Sequence, residues 1–246
     1  MDSLVYEGTR FLFEILSGPS KARRCSFVLP LSSTNAQGVM KKLMREVYVD
    51  GEQVVFEGDV PEKPTEIYEL LMSVLSEQGR AVTGFASDGV DLLSGEPPPE
   101  TFQRIDASSL SHRELTLQVI RAFLDKMGTI GEDLRSYSKN ILTIGWSDVF
   151  RRMDEFIGKI KPFADLFDNL TPYANTYSPE WSTGLEQFAS EQADCLERVL
   201  SCFESGDVSG LSNEIALGFV PLFERSRKFL TEEAVTELEE PMENES

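Results

Sequence analysis

A single histidine, His112, supplies all the imidazole in this chain of 246 residues. That count alone excludes a zinc site built on several histidines, and a di-iron bundle that needs Glu-x-x-His on each of two helices. Cysteine is almost as scarce: Cys25, Cys195 and Cys202 make 3 in all. A small, odd set of thiols does not form a disulfide framework and fits a reducing compartment, so a cytoplasmic location is expected. Cys195 and Cys202 stand two helical turns apart and read as small buried apolar residues. Positive charge is the next shortage, with 23 Lys and Arg against 42 Asp and Glu and a net charge of −19. Residues 1–39 are nearly neutral, whereas 40–109, 110–230 and 231–246 are each acidic. A phosphate backbone is repelled by such a surface, which excludes nucleic acid as a partner; the same surface suits solubility and a basic protein partner. No apolar run reaches the roughly 18 residues of a membrane span, so no membrane association is expected. The start, "MDSLVYEGTRFLFEILSG", is acidic where a secretory signal is basic.

Catalytic motifs are missing too. There is neither a G-x-x-x-x-G-K loop nor a strand followed by G-x-G-x-x-G, the two glycine patterns that cradle phosphates. "GWSDV" lacks the closing glycine and the preceding strand of a nucleophile elbow, so Ser147 and Asp148 read as helix-capping residues. Glu132-Asp133 and Asp154-Glu155 are adjacent in helical patterns, about 100° apart around the axis, and do not converge. No catalytic, cofactor-binding or metal-binding residue is assigned, and no cofactor is expected.

What is present is periodicity. From Arg45, "VYVDGEQVVF" alternates around an Asp-Gly pair, a strong hairpin signal because glycine tolerates positive φ. "PEKPTEIYELLMSVLSEQG" carries Ile67, Leu70, Leu71, Val74 and Leu75 at helical spacing, with Thr65 as the expected cap and Gly79 as the stop. "RAVTGFASDG" is a strand ending in a second Asp-Gly, and a last strand is expected near Phe102 to Ile105. Strand, strand, helix, strand, strand is the order of a small β-grasp, with one helix over a four-stranded sheet. The module runs straight into a helix, without the terminal Gly-Gly of sulfur carriers.

From Ser111 the period becomes helical. "SHRE" is a capping box from Ser111 to Glu114. One stripe follows through Leu115, Val119, Phe123, Met127, Ile130, Leu134, Tyr137 and Ile141. A second helix is expected from Trp146 to Leu170, bent at Pro162, and "NLTPYANTYSPEW" reads as a loop. Ser178-Pro179 opens a third helix, and a fourth runs from Leu211 to Leu230, bent at Pro221. Trp146 and Trp181 are expected at opposite ends of the helical region, sealing its core. The expected architecture is α+β: a small β-grasp-like ββαββ module at 40–109 followed by an antiparallel four-helix bundle at 110–230. Residues 1–39 read as a weakly ordered leader or a mis-annotated extension with the true start at Met40 or Met44, and 231–246 as an acidic disordered tail.

The segments "VYVDGE", "RAVTGFASDG" and "GDVSGLSNEIALGFVPLFERSRKFL" carry a resemblance over roughly residues 44–235. The chain resembles an uncharacterised bacterial family that pairs an N-terminal β-grasp-like module with a helical bundle. The resemblance implies that fold and carries no catalytic residue with it. The leading expectation is a non-enzymatic protein–protein interaction or adaptor protein, with a partner surface at the helix bends near Pro162 and Pro221. The alternative is a small-ligand-binding protein or enzyme using the cleft between module and bundle, with His112, Tyr173 and Tyr177 as its polar groups. A chaperone-like bundle for secretion or motility substrates is a further alternative.

Overall fold

The computed structural model describes residues 45–240, Glu96 excepted. The expected leader, Met40, Met44 and Cys25 lie outside the described residues, as does 241–246. The fold is mixed α+β: a five-stranded sheet with its helix comes first, and helices follow. The chain divides into two compact units, parting among the described residues between Leu115 and Thr116.

The first unit holds β1 (Glu46–Val49), β2 (Glu52–Gln53), α1 (Pro64–Glu77), β3 (Arg80–Ser87), β4 (Val90–Asp91) and β5 (Arg104–Ser111). The strand order is β2-β1-β5-β3-β4. The first and last strands, β1 and β5, pair in parallel with Val47 opposite Ile105, and the other pairs are antiparallel. Ile67, Leu71 and Leu75 of α1 pack with Val47, Val82, Phe85 and Ile105 of the sheet into one core. The sheet has five strands rather than four, because the second Asp-Gly turn leads into the two-residue strand β4. Both turns have positive φ at both positions: Asp50 and Gly51, Asp88 and Gly89. That is the backbone of the tight hairpin turn the Asp-Gly pairs announce. α1 starts one residue before the expected cap: Pro64 occupies its first turn, after Lys63, which makes no side-chain capping bond. Proline's fixed φ and missing N–H suit that place. β5 extends well past Ile105, and Ser111 then forms the expected box: its hydroxyl accepts the Glu114 N–H at 3.1 Å, and the Glu114 carboxylate accepts the Ser111 N–H at 2.9 Å.

The helices are α2 (His112–Asn140), a 3₁₀ turn (Ile141–Thr143), α3 (Trp146–Arg151), α4 (Met153–Tyr177), α5 (Ser182–Ser205), α6 (Val208–Asn213), α7 (Val220–Phe229) and α8 (Val235–Glu239). Two π-helical stretches, Glu214–Phe219 and Leu230–Ala234, join the last three helices without a break. In the second unit, Phe163 of α4 meets Phe123 of α2, Phe219 and Phe223, and Phe156 meets Tyr137 and Phe203. α2, α4, α5 and the final helix thus share one aromatic core.

Three expectations need correction. The helix expected from Trp146 breaks at Arg152, which leaves helical geometry at φ −93 and ψ 8. "NLTPYANTY" is helix rather than loop: Leu170, Tyr173 and Ala174 are buried, and the Asn169, Thr171 and Thr176 side chains bond back to carbonyls four residues earlier at 2.6–2.8 Å. Ser178, at φ 47, therefore ends α4 instead of opening α5, which begins after Trp181. The stretch 231–239 is helical rather than frayed, because Leu230, Ala234 and Leu238 continue a buried stripe.

Candidate functional site: an acidic pocket beside an aromatic stack

The turn between α4 and α5 faces the end of the final helix. Between them lies a pocket of about 440 Å³ lined by Trp181 and by Glu180, Glu232, Glu233, Glu237 and Glu240. Helical spacing explains the gathering: 233, 237 and 240 are three or four residues apart and share a face. The Glu237 carboxylate accepts the Glu180 N–H at 3.1 Å, beside the start of α5. An acid there complements the positive end of the α5 dipole. Glu232 is paired with Lys228 at 3.7 Å. Among the described residues no group of three His, Cys, Asp or Glu side chains is placed to hold a metal ion.

One aromatic residue, Trp181, lines the pocket. Trp181 is 1 % exposed and stacks on Tyr173, ring centroids 5.9 Å apart and planes within 2°. Tyr177 packs on Tyr173 at 4.7 Å and leaves its own ring 44 % exposed. Burial pushes the Tyr177 phenol above its ordinary pKa, so it stays a neutral hydroxyl. The buried indole N–H of Trp181 has no hydrogen-bond acceptor, a condition that costs about 1–3 kcal/mol.

Of the residues singled out by sequence, Tyr173 and Tyr177 come together in this stack. His112 belongs to the other unit, buried where β5 turns into α2. Burial lowers its pKa and outweighs the opposing hydrogen bond to the Arg80 carbonyl, so the imidazole is neutral near pH 7. Pro162 and Pro221 are half-buried, and the helices run on through both. Phe163, beside Pro162, contacts Phe219 and Phe223, which flank Pro221. Trp146 lies against Phe203 at 5.9 Å and beside Gly206, the end of α5 opposite to Trp181. The five glutamates escaped sequence reading because Glu180 lies far from the rest in the chain. The spacing of Leu230, Ala234 and Leu238 is the signal that could have placed the others on a packed helix.

A smaller cavity, about 130 Å³, lies between α5 and the first π-helical stretch. Its ion pairs, Arg198 with Glu214 at 2.8 Å and Arg225 with Glu191 at 2.5 Å, neutralise its walls. Cys195 in that wall is buried, and its thiol is pushed up chiefly by desolvation, the opposite of an activated nucleophile. No described helix is long and apolar enough to cross a membrane. Comparison of the chain with protein-family models, with curated proteins and with solved structures finds no match.

Proposed function

We propose that this chain is a non-enzymatic, cytoplasmic protein-interaction or adaptor protein whose partner docks at the acidic face between the start of α5 and the end of the final helix. The observation that carries the reading is the pocket itself: about 440 Å³, lined by five glutamates and by Trp181, which stacks on Tyr173. Tyrosine is enriched at interface hot spots, and Tyr177, which packs on Tyr173, is 44 % exposed. The net charge of −19 adds long-range attraction for a basic partner.

The same proposal includes a finer architecture and the family resemblance. A β-grasp-like module is supported by the order β2-β1-β5-β3-β4, the parallel β1/β5 pair and one helix on one face. An antiparallel four-helix bundle is supported by four long helical stretches with short connections, which share one core. A photo-crosslinker placed at Thr236, which also lines the pocket, tests the function. The expected result in the native host is one discrete protein adduct; background labelling alone refutes the reading.

A further inference from the structure

We propose that the exposed triple proline Pro97-Pro98-Pro99, between β4 and β5, is a docking segment for a partner protein with an aromatic-lined, proline-reading groove. It belongs to the sheet unit and does not rest on the acidic-face reading. The backbone is the first argument. Each proline ring holds φ near about −65°, and a residue that precedes a proline is pushed to extended ψ. Pro97 and Pro98 both precede one, so covalent chemistry alone writes a left-handed polyproline II segment into the chain. That is the conformation an aromatic groove reads, and little entropy is lost on docking a segment that already holds it. Exposure is the second argument. Pro97, Pro98, Pro99, Glu100 and Thr101 are all exposed, and among the described residues none hydrogen-bonds to them. The other described prolines, Pro61, Pro64, Pro162, Pro172, Pro179 and Pro221, are buried or half-buried, so the fold covers them. Presentation is the third. Upstream of the segment, the Leu92 N–H donates to the Phe85 carbonyl at 2.9 Å, and the Asp91 carboxylate accepts the Leu93 N–H at 2.9 Å. Downstream, Phe102 is buried in the sheet core, and the Gln103 N–H donates to the Asp88 carboxylate at 3.1 Å. Two anchored ends and a stiff middle hold three apolar rings out in water. Their carbonyls are acceptors, which suits the indole and phenol donors of an aromatic groove.

The test is photo-crosslinking of the full chain from Thr101 in an extract of the native host. The expected result is one discrete protein adduct. N-acetyl-L-hexaproline amide in excess is expected to lower its yield about tenfold, and N-acetyl-D-hexaproline amide, whose helix has the opposite hand, to leave it unchanged. Pro97→Ala/Pro98→Ala/Pro99→Ala is expected to lower the yield about tenfold while a cooperative melt is retained. The peptide competition uses the unaltered prolines, so it decides the matter whether or not that variant folds. No adduct, no competition by the L-peptide, or equal competition by both peptides overturns the proposal. So does an unchanged yield in the alanine variant, which shows prolines that only stiffen the loop. A Thr236 adduct without a Thr101 adduct removes this inference and leaves the acidic-face reading standing; a Thr101 adduct without a Thr236 adduct removes that reading alone.

Discussion

Asp50 and Asp88 each open a tight turn with positive φ and then extend a carboxylate to the same strand, β5. Asp88 accepts the Gln103 and Arg104 N–H groups at 3.1 and 2.8 Å. Asp50 accepts the Ser109 N–H at 2.7 Å, its hydroxyl at 2.6 Å and Arg80 Nη2 at 3.0 Å. Arg80 in turn donates to the Ser109 hydroxyl and carbonyl at 3.0 and 3.2 Å. Burial pushes the Asp50 carboxyl up, but these donors outweigh it and hold the carboxyl below the usual aspartate range. The depressed folded pKa fixes the sign: the stabilisation is complete above about pH 4, the ordinary aspartate value, and is lost as pH falls through the folded one. Asp50→Asn is expected to cost about 1–2 kcal/mol near pH 7. Its deficit against wild type is expected to shrink at acid pH, as pH falls through the depressed folded pKa and the wild-type carboxylate is itself protonated. Urea unfolding at the two pH values measures this, and a deficit independent of pH contradicts it. The turns were legible in the sequence because Asp-Gly is a local rule. The Asp50–Arg80–Ser109 cluster was not, since it depends on pairing between strands far apart in the chain.

Among the helices, local rules failed wherever tertiary packing supplied more than they predicted. Pro172 and three polar residues marked a loop, yet burial of Leu170, Tyr173 and Ala174 holds α4 helical to Tyr177. The acidic tail read as disorder, yet Ala234 is fully buried, and Glu239 pairs with Arg121 of α2. The stripes themselves were legible: Phe123, Met127, Leu134, Tyr137 and Ile141 are all buried as read. Phe150, which helical spacing places on the buried face of a continuous 146–170 helix, is 57 % exposed, because the break at Arg152 detaches α3 from the register of α4. The π-helical stretches carry no local signature. Pro221 follows one of them, and the wider turn eases proline's clash with the carbonyl four residues earlier. Close packing makes a further prediction. A Cβ at Gly184 of α5 would lie 2.4 Å from the Phe229 ring of α7, itself buried. Gly184→Ala is expected to destabilise the protein by about 1–3 kcal/mol through overpacking, and Phe229→Leu in the same chain to restore part of it. Thermal melts of the single and double variants check this; additive losses contradict it.

For the whole molecule, the acidic excess is the property most plainly visible in the sequence, and the structure gives it a location. Carboxylates from residues 180 and 232–240 meet only because the α4–α5 turn and the final helix end side by side. A partner drawn by that field is expected to bind with strong salt dependence. Raising salt from about 0.1 M to about 1 M shortens the screening length from about 10 Å to about 3 Å. The complex is expected to weaken at least tenfold over that range, mostly through slower association. Stopped-flow measurement of the association rate checks this, and a salt-independent rate contradicts electrostatic steering. The most direct test of the account is quantitative photo-crosslinking from Thr236 in the native host, comparing wild type with Glu232→Gln/Glu233→Gln/Glu240→Gln. The account predicts a discrete protein adduct in wild type and a yield about tenfold lower in the variant. An equal yield from both chains would contradict it.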